Sequence, residues 1–83
     1  MHTVLCVAYN KEGTLLASCG WDKSIIVYRM QDEIWTPFQS MIEHNDKVTQ
    51  IIFNKSDVIS ASMDKSIRVW RLVKDNYKCI QIL

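Results

Sequence analysis

Apolar residues along this 83-residue chain come in short runs separated by polar turn residues. "VLCVAY" at 4–9 and "VTQIIF" at 48–53 are rich in β-branched and aromatic side chains; "LLASC" at 15–19 and "VISAS" at 58–62 follow turn-forming residues. "IIVYRM" at 25–30 and "IRVWRL" at 67–72 each follow a tight "DKS". Runs of this length and composition predict strands. Two further strands are predicted in "TPFQSMI" at 36–42 and "YKCIQIL" at 77–83, after the charged loops "QDEI" and "VKDN". Pro37 near the start of the former suits an edge strand, where a missing N–H costs little. The residues from Gln31 to Glu33 read as a solvated turn. The pattern predicts an all-β chain of two four-stranded antiparallel meanders.

The two meanders are copies of one another. Residues 15–30 laid over 57–72 are identical at seven of sixteen positions: Ser18/Ser60, Asp22/Asp64, Lys23/Lys65, Ser24/Ser66, Ile25/Ile67, Val27/Val69 and Arg29/Arg71. Upstream the offset is 44 instead of 42, and Val4/Val48, Val7/Ile51, Tyr9/Phe53, Asn10/Asn54 and Lys11/Lys55 correspond. The two-residue difference falls between "NKEGTLL" and "NKSDVI", where a turn can absorb it. An internal period of this size is the mark of a repeat architecture.

A four-stranded unit of about 40 to 45 residues, with an Asp before its third strand and a Trp ending it, resembles the WD-repeat β-propeller family. "EH" followed by "VTQIIF" and "ISASMDKSIRVW" carries the resemblance within residues 44–70. It implies two propeller blades, 1–43 and 44–83. It also implies a structural tetrad of His, Ser or Thr, Asp and Trp in each blade, which carries over to His44, Ser60, Asp64 and Trp70. An imidazole can donate to the carboxylate while the hydroxyl links it to the indole, so that no buried polar group stays unpaired. Ser60 is preferred to Ser62 because Ser18 and Ser60 stand equally far before their aspartates, and Gly20 replaces Ser62 in the first unit. The first unit keeps Ser18 and Asp22 but has Tyr28 in place of the Trp; its His position would fall before Met1, and His2 lies too close to Val4 to take the role.

Composition narrows the function. With 48% hydrophobic and 23% charged residues the chain is expected to fold, and a net charge of +1 with lysines interleaved among aspartates gives no basic stripe for nucleic acid. No apolar run nears the roughly 20 residues needed to span a bilayer, and "MHTVLCVAYN" lacks a signal peptide's pattern, so a soluble protein of the cytoplasm or nucleus is expected. Cys6, Cys19 and Cys79, an odd number without a CxxC pair, read as reduced, core-filling thiols.

Catalytic readings fare poorly. Ser60, His44 and Asp64 are the constituents of a nucleophilic triad, but no GxSxG elbow surrounds Ser60. His2 and Cys6 are two ligands where zinc wants about four. With Gly13 and Gly20 the only glycines there is no phosphate-cradling loop. Neither a metal nor another cofactor is expected, nor an enzyme.

The remaining chemistry lies in loops. By the resemblance, the Asp-bearing turns and the loop leading into the blade share one face, which would gather Trp21, Lys23, Asn45, Asp46, Lys47, Met63 and Lys65. Trp21 is either packed on a neighbouring loop or an exposed anchor of the kind that dominates interfaces. Trp35 is expected to pack between adjacent blades. The resemblance therefore implies an interaction scaffold that presents this face to peptides or other proteins. The alternatives are a regulatory or substrate-receptor subunit of an enzyme complex and, far behind, a catalytic or metal-binding β protein. Two blades are fewer than the roughly four to eight of a propeller, so the chain is expected to be part of something larger, through further blades in the same or another chain. Alone, its uncovered apolar faces should associate.

Overall fold

In the computed structural model, which describes residues 4–83, the predicted runs are strands. β1 (Val4–Tyr9), β2 (Leu15–Gly20), β3 (Ile25–Gln31) and β4 (Ile34–Met41) pair in chain order as one antiparallel sheet. β5 (Val48–Asn54), β6 (Asp57–Ser62), β7 (Ile67–Val73) and β8 (Asn76–Ile82) pair in the same order as a second. No helix of the described residues is long and apolar enough to cross a membrane.

The outer hairpins are tighter than the sequence suggests. Asp32 and Glu33 both have positive φ (52° and 65°), as do Lys74 and Asp75 (51° and 66°). Two consecutive left-handed residues make a turn whose twist matches that of the flanking strands, so two residues suffice. β4 and β8 consequently begin at Ile34 and Asn76, earlier than the expected Thr36 and Tyr77, and Gln31 belongs to β3, paired with Ile34. The two-residue difference between the repeats lies in the first hairpin. Five residues separate β1 from β2, tied by Asn10, whose Oδ1 accepts the N–H groups of Thr14 and Leu15 at 2.9 Å each. Between β5 and β6 only Lys55 and Ser56 intervene.

Both sheets are bent at the same places. The register slips between Val4 and Cys6 and between Val48 and Gln50 on the inner strands, and opposite Val27/Tyr28 and Val69/Trp70 on the outer ones. The outer slips make Phe38 and Ile80 the extra residues of β-bulges, which increase local twist. Pro37 sits beside the first of them on edge strand β4, so its lost donor breaks no ladder.

The core lies between the sheets. The first contributes small and branched side chains, among them Ala17, Cys19, Ile25 and Val27; the second contributes Val48, Ile51, Val58, Trp70 and Tyr77, all buried. Large groups on one face against small ones on the other let the sheets approach closely. At the rim Gln39 fastens the sheets: its amide donates to the carbonyl of Tyr77 (3.0 Å) and accepts the N–H of Tyr77 (2.6 Å). Because β8 is an edge strand, that residue's backbone would otherwise face outward without a partner strand.

Candidate functional site

The loop leading from β4 to β5 brings His44 over the open end of the second sheet, where four side chains from four segments meet. Nδ1 of His44 lies 3.0 Å from Oδ2 of Asp64 and its Nε2 2.7 Å from Oγ of Ser60, while the indole N–H of Trp70 donates to the same Oγ at 3.0 Å. These partners assign the tautomer: Nδ1–H donates to the carboxylate, Nε2 accepts the Ser60 hydroxyl, and Ser60 accepts the indole. Each polar side-chain atom of His44, Ser60 and Trp70 thereby finds a partner. Ser60 and Trp70 are 0% exposed.

Asp64 holds the turn as well as the imidazole. It accepts the N–H of Asn45 (2.9 Å), the N–H of Ser66 (2.9 Å) and the hydroxyl of Ser66 (2.5 Å). Burial pushes its carboxyl up, but the bonds from Ser66, Asn45 and His44 outweigh that and hold it well below the usual carboxylate range. Ser66 also reaches Nδ1 of His44 at 3.3 Å, a fifth participant that sequence reasoning misses although "DKS" stands in both repeats. Ser62 acts at a different point: its hydroxyl bonds the carbonyls of Asp46 and Lys47 (3.2 and 2.9 Å), clamping the incoming loop.

Ser60, His44 and Asp64 thus have the connectivity of a hydrolytic triad. The serine nevertheless has no accessible surface, and the indole N–H occupies its oxygen. No substrate can reach it without dismantling the sheet. What the arrangement can do is fix the imidazole, the β6–β7 turn and the incoming loop relative to one another.

In the first sheet Ser18, Asp22 and Tyr28 line one cavity of about 140 Å³, together with Val4, Cys19, Gly20, Ser24 and Ile26. Oδ1 of Asp22 accepts the N–H and hydroxyl of Ser24 (3.2 and 2.7 Å), repeating the Asp64–Ser66 turn. Among the described residues no hydrogen bond joins Ser18 to Tyr28, and His2 lies outside them. Of the thiols, Cys19 is buried, and burial with Cys6 alongside pushes it up to about 12. Among the described residues no group of three or more His, Cys, Asp or Glu is placed to hold a metal ion.

Above the hydrogen-bonded cluster the loops form a shared surface. Nζ of Lys47 sits 3.7 Å over the ring of Trp21, so the β2–β3 turn of the first sheet touches the loop that enters the second. Trp21 still keeps 54% of its surface exposed. Met63, 60% exposed, donates its N–H to the carbonyl of Lys47 (2.9 Å), and Lys47 in turn donates to Asp46 (2.7 Å). Asn45 is tied to Asp64 as above. Lys23 and Lys65 stand at the hairpin tips with φ of 70° and 71°, exposed, and make none of these contacts. Trp35 does not lie between these two sheets. Its ring packs 6.1 Å from Tyr9 of its own sheet, on the face turned away from the second sheet, and Tyr77, its counterpart in the repeat, is the one buried between the sheets.

Comparison with known proteins gives a consistent picture. The family model of the WD domain, G-beta repeat, matches residues 1–29 and 35–71. The chain is 32% identical over 74 residues to the "Probable cytosolic iron-sulfur protein assembly protein CIAO1 homolog" of Caenorhabditis elegans, which covers 84% of this chain and 22% of that protein. It is 32% identical over 69 residues to the transcriptional corepressor LEUNIG_HOMOLOG of Arabidopsis thaliana, covering 81% and 8%. Among solved structures, the RRP9 WD40 repeats superpose with a TM-score of 0.81 at 28% identity over 96% of this chain and 24% of that one. Saccharomyces cerevisiae Sqt1 superposes at 0.87 over 99% and 23%, and at 13% identity it speaks for the fold alone. The chain spans less than a quarter of the length of each of these four.

Proposed function

The chain belongs to the WD domain, G-beta repeat family, and from that premise we propose that it is a protein-interaction module whose loop face receives a peptide or a loop of another protein. One observation carries the reading: Trp21 and Met63, large and more than half exposed, flank Lys47 on loops that backbone bonds and the His44–Asp64 pair hold in place. An aromatic anchor on a pre-organised surface binds with little ordering cost. Lys23, Lys65, Asn45 and Asp46 supply the polar rim. A role in an assembly also draws support from the relatives, one named for iron-sulfur protein assembly and one as a transcriptional corepressor. Those names favour the cytoplasm or nucleus.

The test compares the chain with Trp21→Ala in parallel quantitative affinity capture, with circular dichroism to establish that both are folded. Trp21→Ala should release at least one recurrent partner by tenfold or more. Retention of every partner by a folded Trp21→Ala chain overturns the reading. If the partner released is always the same enzyme, the module serves as a receptor or regulatory subunit.

A further inference from the structure

Strand pairing sets two thiols opposite one another in the first sheet. Cys6 is the register partner of Cys19 across β1 and β2, the first partner after the slip that follows Val4. Residues directly opposite in an antiparallel pair point to the same face, with Cα atoms about 4.5 to 5.5 Å apart. A disulfide spans Cα separations of about 4.4 to 6.8 Å, so a bridge here needs no movement of either strand. Both thiols are free. They belong to the face that packs on the second sheet: Cys19 is in the core, and Cys6 packs against it and donates its S–H to the carbonyl of Ile51 on β5 at 3.8 Å.

The two differ in access and in readiness to react. Cys19 is 3% exposed, whereas Cys6 is only partly buried. Burial first, then the charge of Cys6 and a hydrogen bond between the two side chains, push the Cys19 thiol up to about 12. Cys19 therefore stays protonated behind a more accessible neighbour, the arrangement of an attacked thiol with a resolving one. Cys79 has no such partner, since Trp70 stands opposite it and its S–H bonds the carbonyl of Gln81 (3.6 Å).

We propose that Cys6 and Cys19 are an oxidisable pair, Cys6 taking an oxygen from hydrogen peroxide and Cys19 resolving the product to a disulfide that staples β1 to β2. The Cys6 sulfur, having released its proton, attacks one peroxide oxygen; the O–O bond breaks, and the departing hydroxide takes up that proton as water. The Cys19 sulfur then attacks the sulfur of the Cys6 sulfenic acid, the S–O bond breaks, and the leaving hydroxide takes the Cys19 proton as a second water. Two thiols have lost two electrons and the peroxide has gained them. The bridge also removes the Cys6 contact with Ile51, so the second sheet registers the event, and a thiol reductant reverses it by exchange. Neither outer sheet face nor the loop surface around Trp21 takes part.

The test treats the chain, shown to be folded by circular dichroism, with hydrogen peroxide, blocks remaining thiols by alkylation and maps it after trypsin. Lys11 lies between the two cysteines, so peptides 1–11 and 12–23 should run as one species that a reductant separates, while 79–83, which carries Cys79, runs apart from them. Cys79→Ser should leave the rate of bridging unchanged. Cys19→Ala should stop at the Cys6 sulfenic acid, captured by dimedone. In urea, where the strands no longer hold the sulfurs together, bridges to Cys79 should appear as well. A folded chain whose Cys6 is alkylated or over-oxidised without a bridge overturns the proposal, as does one that bridges Cys79 as readily as Cys19. So does a folded Cys19→Ala chain in which Cys6 is not oxidised.

Discussion

At the scale of single residues, Ser60 is the hinge of the site, since its one oxygen serves both His44 and Trp70. Ser60→Ala removes little volume but strands an indole N–H and an imidazole nitrogen, and urea melts at fixed protein concentration should show a loss of about 1 to 3 kcal/mol. Asp64 gives a pH signature. Its folded carboxyl titrates well below the ordinary range, so below about pH 4 the unfolded chain binds a proton that the folded chain does not. That contribution is complete above the unfolded pKa and is lost as pH falls through the ordinary range toward the folded one. Urea midpoints of the chain should fall across that window, and Asp64→Asn should flatten the fall; parallel pH profiles would refute the assignment. Much of this site was legible, because four residue types in a fixed order point to one cluster. Ser66 was not, because a serine two residues from an aspartate is common in turns and only coordinates reveal that it also meets the imidazole.

Among the elements, the strands were plain from their branched and aromatic residues and their boundaries were not. In the sequence the outer hairpins look like longer charged loops because neither contains the glycine that a left-handed turn usually announces. Asp32-Glu33 and Lys74-Asp75 adopt that conformation regardless, at a cost of roughly 1 to 2 kcal/mol per residue relative to glycine's freedom. Glu33→Gly creates the Asp-Gly pair that this turn prefers and should raise stability by about 1 kcal/mol in thermal or urea melts. A loss of stability would mean that Glu33 has a role beyond the turn. The bulges escaped the sequence for a different reason. An extra residue in one strand leaves the alternation of its own strand almost intact, and only the register with the partner betrays it.

For the molecule as a whole, the question is whether two sheets behave as one body. A continuous core and the Gln39 fastening say that they do, and unfolding followed by tryptophan emission and by backbone dichroism should coincide. Gln39→Ala leaves the N–H and carbonyl of Tyr77 without that partner and should lower stability by about 1 to 2 kcal/mol while keeping the transitions coincident. Separate transitions would show sheets that fold alone. Gln39 could have been noticed, since Gln81 repeats it 42 residues on, but both lie past the stretch where the repeats align most clearly. The placement of the tryptophans carries a practical consequence. Trp70 is sealed inside the hydrogen-bonded cluster, Trp21 lies under a lysine among the loops, and Trp35 sits on the uncovered sheet face beside Tyr9. Three single-tryptophan chains, the other two indoles replaced by phenylalanine, would therefore be three independent optical probes: one for integrity of the fold, one for occupancy of the loops, and one for the outer face of the first sheet.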